Sequence, residues 1–154
     1  MSDDAEKLLD AVRAIAPAIR ARAGEIEAAR RLPPDLLAEL RALGVFRMLV
    51  PRGYGGLELP FPPSVDVLAE LAAADGATGW TAMIGCETAA LFSLLPRASF
   101  EAVYAGGGPD VICGGAFAPQ GTAELGADGR YRVSGRWGSR AAASTPTGCS
   151  ASAW

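Results

Sequence analysis

Four short stretches hold the residues best suited to chemistry. Gly53-Tyr54-Gly55-Gly56 is dense in glycine, and successive backbone amides in such a loop can cradle a phosphate. It fits neither a Walker pattern nor GxGxxG ahead of a helix, and the commoner reading is a tight turn between helices. Asp75-Gly76-Ala77-Thr78-Gly79-Trp80 puts an indole near a helix start, where it either lines a cavity or packs in the core. Gly114-Gly115-Ala116-Phe117-Ala118-Pro119-Gln120-Gly121 closes an apolar run with small residues. Such residues let the backbone approach a flat ligand, or mark a bulge. Trp137 ends a strand-like run, where it can stack on a planar ring or fill a core.

What is missing narrows the chemistry further. The chain has no histidine, which excludes a His-based triad or a His-ligated metal within it. Cys86, Cys113 and Cys149 show no metal-ligand spacing, and an odd count without CxxC argues against a disulfide framework. A formal net charge of −3 with 20% charged residues is not a nucleic-acid footprint, which needs clustered Lys and Arg. No apolar run reaches the length of a membrane span, and the charged N-terminus is unlike a signal peptide. A soluble, cytoplasmic protein is the expectation.

These residues need elements to hold them. At 154 residues and 50% hydrophobic content, the chain fits one domain or one and a fraction. Leu8, Leu9, Val12, Ile15, Ala16, Ile19, Ala23 and Ile26 recur at helical spacing and predict a first helix over about 3–30. Pro17 should kink or divide it. A second helix runs from Asp35 to Leu43, with Pro34 in its first turn and Gly44 just past its end. Ser64 can cap a third helix reaching Ala74, with Val65, Leu68, Leu71 and Ala72 on one face. A fourth, over about 79–95, is apolar nearly all round and should be the most buried. A short helix follows over 96–104.

Gly106-Gly107-Gly108-Pro109 is the strongest boundary. Beyond it the period becomes strand-like over 111–117, 122–125 and 130–137, with a hairpin turn at Ala127-Asp128-Gly129. The expected class is α+β: a helical domain over 1–108, then the first strands of an antiparallel β domain over 109–137. An unpaired edge strand at 130–137 would favour poor solubility.

Order and spacing together resemble one family. Leu36-Leu37-Ala38-Glu39-Leu40-Arg41-Ala42-Leu43-Gly44-Val45-Phe46, followed by Val50-Pro51-Arg52-Gly53-Tyr54-Gly55-Gly56-Leu57, looks like the N-terminal helical domain of the acyl-CoA dehydrogenase superfamily. The resemblance covers about residues 5–137. It implies a β-barrel-like middle domain, then a C-terminal four-helix bundle that this sequence lacks, with flavin between the two. Dehydrogenases of the superfamily usually carry Thr-Glu-Pro after the first middle-domain strand. Here the matching place reads Phe117-Ala118-Pro119-Gln120-Gly121-Thr122-Ala123. That is similar to the flavin-dependent hydroxylase branch, as are Asp75 to Trp80 and Tyr131-Arg132-Val133-Ser134-Gly135-Arg136-Trp137.

Members of that branch take reduced flavin from a partner reductase and use it with oxygen to hydroxylate a substrate, often a phenol. The resemblance implies FAD or FMN as cofactor, a flavin reductase as partner and a homotetrameric parent. It makes Ala116, Phe117 and Trp137 the flavin-contact candidates and Trp80 and Tyr54 the substrate-cavity candidates. It assigns no catalytic residue and no metal. The other readings are a fragment of an FAD-dependent acyl-CoA dehydrogenase, and a non-catalytic helical interaction module.

Residues 138–154 depart from the branch, which continues past the Trp with a Phe- or Leu-Ala-Ser-Gly run and a His-Ala-Asp-Trp-like segment. Back-translated with GC-rich codons and read two bases further on, this tail yields Leu-Ala-Ser-Gly-Cys-Gln-His-Ala-Asp-Trp. The expectation is a one-base loss just after Trp137, an out-of-frame tail, and a truncated product with little activity of its own.

Overall fold

A computed structural model describes residues 2–113 and 121–136. Ala116, Phe117, Trp137 and the whole 138–154 tail lie outside the described residues. The described part comprises six α-helices and an antiparallel hairpin, as the α+β reading expected.

Helix α1 spans Asp3–Ala21. Ser2 caps it by accepting the Ala5 amide, and Asp3, Asp4 and Glu6 occupy the positive end of the dipole. Ala5, Leu8, Leu9, Val12, Ala16 and Ile19 form its buried stripe. Pro17 does not divide the helix. It lies on the exposed face, where the lost backbone bond leaves no buried carbonyl, while Ala16 and Ile19 keep the stripe continuous across it. The division comes at Arg22, before α2 (Ala23–Ala29). Arg22 then ties the two following helices together. Its guanidinium meets Glu25 at 2.8 Å and Asp35, in the first turn of α3, at 2.6 Å.

Helix α3 (Pro34–Leu43) has the expected bounds, with Pro34 in its first turn and Gly44 at φ +93°. A 3-10 turn at Val45–Arg47 follows. Val45, Phe46, Met48 and Val50 are all but fully buried there.

Helix α4 (Phe61–Ala74) starts four residues earlier than Ser64 capping would allow. Pro62 and Pro63 fit a first turn, whose amides need no partner within the helix. Ser64 is buried inside the helix and donates its hydroxyl to the Pro60 carbonyl at 3.1 Å. The buried face is Ser64, Val67, Leu71 and Ala74: of the predicted face Leu71 is buried and Leu68 packs partly against the core, while Val65 and Ala72 are exposed.

Helix α5 (Gly76–Phe92) is capped by Asp75, which accepts the Thr78 amide at 2.7 Å. It is not buried all round. Thr78, Gly79, Ala82, Ile84, Gly85, Cys86 and Ala89 are buried, while Trp80 and Leu91 are exposed. Apart from Ile84 the buried residues are small, so the helix packs by close backbone approach at Gly79 and Gly85. A Cβ on Gly79 would lie 2.6 Å from the Ala72 backbone, and one on Gly85 would lie 2.6 Å from the Phe46 ring.

Helix α6 (Arg97–Gly107) runs through the predicted boundary glycines and stops at Gly108, φ +69°. Val111–Cys113 is not strand: these residues lie against the helices, with Ile112 and Cys113 buried. The rest of the strand expected over 111–117 lies outside the described residues.

Strands β1 (Gly121–Leu125) and β2 (Tyr131–Gly135) pair as predicted, Ala123 facing Val133 and Leu125 facing Tyr131. Gly129 takes φ +76° in the turn. Alternation puts Ala123, Leu125, Tyr131 and Val133 on one face, and Thr122, Glu124, Arg132 and Ser134 on the other. Both strands are exposed throughout.

Glycine-to-alanine exchanges test the close approach. In an open helical position such as Gly24, where nothing lies within 4 Å, alanine should add up to about 1 kcal/mol of stability. At Gly79 the same propensity gain is outweighed by overpacking of about 1–3 kcal/mol or more, because the opposing atoms are backbone. Urea unfolding should therefore show G24A more stable and G79A less stable than the unsubstituted chain.

Candidate functional site

The glycine loop is closed onto its own segment. Leu57, Glu58 and Leu59 donate their amides to the carbonyls of Arg47, Val50 and Met48 at 3.0, 3.0 and 2.8 Å. Tyr54 and Gly56 donate to Pro51, and Gly55 to Arg52. The Arg52 amide goes to the Glu58 carboxylate at 2.9 Å. With these amides already taken by protein oxygens, the loop is not a phosphate cradle. Its glycines serve packing: a Cβ on Gly56 would fall 1.9 Å from the Val50 carbonyl oxygen. The Arg52 guanidinium reaches Asp4 of α1 at 2.8 Å and pins the loop from the other side.

The loop presents Tyr54 to α6. The Tyr54 ring meets Phe100 edge-on, centroids 5.0 Å apart, and Phe100 meets Tyr104 at 4.8 Å. Val50 and Ala89 complete the buried part of this cluster. The Tyr54 hydroxyl donates to Glu101 at 3.1 Å, and Arg97 donates to the same carboxylate oxygen at 2.7 Å. Arg97, and then Tyr54, hold the Glu101 carboxyl below its usual range. Burial pushes the Tyr104 phenol up to about 12, with Cys113 adding to the rise.

Trp80 stands apart from this cluster. It lies on the open side of α5 with 57% of its surface exposed, and Leu91 shares that side. It is not the packed core indole that its position at a helix start most often implies. An exposed indole offers an apolar plane and one N–H donor, which suits a flat aromatic ligand or a covering protein surface. Tyr54 and Trp80, the two substrate-cavity candidates, thus occupy different settings: one locked into an aromatic cluster, one open.

Two features escaped the sequence reading. The Thr88 hydroxyl, bonded within α5 to the Ile84 carbonyl at 2.9 Å, also lies 3.2 Å from the Cys113 carbonyl. Gly85 opens a notch on α5 that Phe46 and Ile112 fill. The small residues at Gly79, Ala82, Gly85, Cys86 and Ala89, spaced by three, three, one and three, were the available signal. Burial, and then Glu87, raise the Cys86 thiol to about 12, so it is an inert core group. Among the described residues no cluster of His, Cys, Asp or Glu could hold a metal ion. No described helix is long and apolar enough to cross a membrane.

Residues 2–99 match the Acyl-CoA dehydrogenase, N-terminal domain. The chain belongs to that family. It is 38% identical over 133 residues to an indole-3-acetate monooxygenase of Pseudomonas putida, a match covering 86% of this chain and 32% of the relative. It is 36% identical over 131 residues to the oxygenase component of an FADH2-dependent resorcinol hydroxylase of Rhizobium sp., covering 85% and 32%. Among solved structures, the HsaA monooxygenase from M. tuberculosis superposes with a TM-score of 0.79 at 30% identity, over 85% of this chain and 34% of that one. XiaF from Streptomyces sp., solved with FADH2 and glycerol, gives 0.78 at 27% identity, over 85% and 33%. The chain spans about a third of the length of these relatives.

The shifted Tyr104 gives a test of the cluster. A tyrosinate absorbance titration should contain a step near 12 that disappears in Tyr104→Phe. In the unfolded chain this phenol ionises near 10, so between about 10 and 12 the unfolded state has lost a proton that the folded state keeps. Folding stability should fall across that window as pH rises, and less steeply in Tyr104→Phe.

Proposed function

We propose that this chain is the N-terminal portion of the oxygenase component of a reduced-flavin-dependent aromatic monooxygenase. One observation carries the reading: relatives that match most of this chain at 36–38% identity include an indole-3-acetate monooxygenase and the oxygenase component of a resorcinol hydroxylase. The Phe117-Ala118-Pro119-Gln120 sequence, where dehydrogenases carry Thr-Glu-Pro, agrees with it. So does the exposed indole of Trp80, an apolar plane suited to a flat aromatic substrate or cofactor.

In this reading residues 1–108 are the helical domain and 109–137 open the flavin-binding β domain, with 138–154 an out-of-frame tail. The cofactor is FAD or FMN, received reduced from a partner flavin reductase; bound flavin supplies the oxygen-activating chemistry. Ala116, Phe117 and Trp137 contact it. The role of this chain's own residues is to bind, to orient and to keep water from the reacting centre. Trp80 lines the substrate cavity. Tyr54 shapes its wall through the Phe100–Tyr104 cluster. The parent is a cytoplasmic homotetramer.

A chimera tests the reading. Residues 1–136 of this chain replace the matching N-terminal third of the Pseudomonas putida monooxygenase. Supplied with reduced flavin, oxygen and aromatic substrates, the chimera should consume oxygen and release a hydroxylated product. Dye-linked oxidation of an acyl-CoA without oxygen use would instead make the chain a dehydrogenase segment. A folded chimera that takes up no flavin would favour an interaction module. The 154-residue chain alone should show little or no turnover under the same conditions, and robust turnover would refute the reading of it as an inactive portion.

A further inference from the structure

The exposed apolar side chains are not scattered. Among the described residues, every large hydrophobic that stands exposed lies on the α4–α5 pair and the turn after it, or on the hairpin. Phe61, Val65, Trp80, Leu91 and Leu94 belong to the first group; Leu125, Tyr131 and Val133 belong to the second. Single exposed leucines need no explanation, but two concentrated patches do. Helices α4 and α5 are joined by Asp75 alone and pack side by side, so the start of α4 lies level with the end of α5. Ala72, on the same stripe of α4 as Phe61 and Val65, meets α5 at Gly79. Phe61 and Val65 therefore border the seam with α5, at the end where Leu91 and Leu94 stand. Trp80 lies roughly 16 Å further back along α5, at about 1.5 Å per residue. A patch at this end leaves Trp80 free for the role proposed above.

The two patches carry opposite charge. Residues 53–96 include Glu58, Asp66, Glu70, Asp75 and Glu87 but no Lys or Arg. Glu70 faces Arg13 at 3.6 Å and Asp75 caps α5, whereas Asp66 and Glu87 make no ion pair among the described residues. Glu87 lies one turn before Leu91 on the same side of α5, and Asp66 is exposed beside Val65. The hairpin is the reverse. Arg130 and Arg136 flank β2, Arg132 lies within it, and residues 129–136 hold no Asp or Glu. Arg132 stands opposite Glu124 in the register, while Arg130 and Arg136 are exposed and make no ion pair among the described residues.

We propose that two copies of this chain pair by seating the β1–β2 hairpin of each on the α4–α5 end of the other. An apolar seam fringed by carboxylates receives a strand face fringed by arginines. Within one chain the two do not meet, since β1 and β2 are exposed throughout. A second copy supplies both halves at once, and a two-fold axis makes the contact twice. Each contact then needs to bury only about 800 Å² for the pair to reach the roughly 1,600 Å² of a standard stable interface. The pairing also covers the hairpin, which as an isolated two-stranded ribbon is marginal in water. It does not rest on the flavin reading.

Sedimentation of the 154-residue chain over a range of concentrations should show monomer and dimer in exchange. Asp66→Arg with Glu87→Arg makes both patches basic; Arg130→Glu with Arg136→Glu makes both acidic. Each swap should raise the dimer dissociation constant at least about tenfold, the effect of like charges set opposite one another. An equimolar mixture of the two swapped chains should form dimers again, because each hairpin then meets opposite charge. Arg30→Glu with Arg31→Glu changes the net charge as the second swap does, on another element, and should leave the constant unchanged. Leu94→Ser, at a side chain 83% exposed, should also weaken the dimer about tenfold or more without touching the fold. Should a swap lose its helical circular dichroism, L94S decides alone. A monomer at every concentration, a dimer that neither the swaps nor L94S weaken, or folded swapped chains that stay monomeric when mixed would overturn the proposal. Growth into open assemblies larger than two would overturn the reciprocal two-fold contact.

Discussion

The close approach of α5 to its neighbours is the constraint on which the rest of the structure depends. Gly79 lets the first half of α5 touch the backbone of α4 at Ala72, and Gly85 admits the ring of Phe46 from the turn after α3. Small side chains at these positions bring backbones together at a distance that larger ones would forbid. Phe46 can be fully buried only because Gly85 has no side chain. Ile112 enters the same notch, which draws the chain after α6 back across the helical body. One helix face thus organises α4, the turn at Val45–Arg47 and the approach to the β hairpin.

The glycine loop is a second consequence of the same packing. Arg47, Met48 and Val50 are held by their buried neighbours, so their carbonyls offer a fixed edge to Leu57, Glu58 and Leu59. The loop folds onto that edge and spends its amides there. What remains to face outward is the Tyr54 side chain, and α6 receives it with two rings and a carboxylate. The loop contributes a well-placed aromatic rather than an anion site. Its ion pairs with Asp4 and through Glu101 to Arg97 lie near the surface, where such contacts add little energy but limit orientation.

The hairpin obeys a different rule. Its register follows from a glycine turn and from strict alternation of apolar and polar residues. Leu125, Tyr131 and Val133 stay exposed on one face, so the pairing owes nothing to burial by the described residues. Local sequence suffices to draw these strands, whereas the helices need one another.

That contrast explains how much was legible in the sequence. The α1 stripe, the Pro34 and Gly44 ends of α3, the Asp75 cap and the hairpin turn all depend on a few adjacent residues, and each could be read directly. The errors arose where distant groups decide. Pro17 is tolerated because its face of α1 meets water. Ser64 lies inside α4 because the prolines before it find a helical first turn and its hydroxyl finds Pro60. The apolar sequence of α5 promised burial on every side, but the neighbours cover the small-residue face and Ile84 and leave Trp80 outside. Likeness to a family of flavoproteins was visible in motif order, since spacing between motifs survives when single residues change. The sequence by itself determined most of the elements, some of their ends and that ancestry, because caps, turns and periodicity act over a few residues. Only the tertiary structure decided that the glycine loop binds itself, that Tyr54 joins α6, and that Thr88 and Arg47 reach the chain beyond Gly108. Each of these is a meeting of groups far apart along the chain, fixed by how closely the helix backbones can approach.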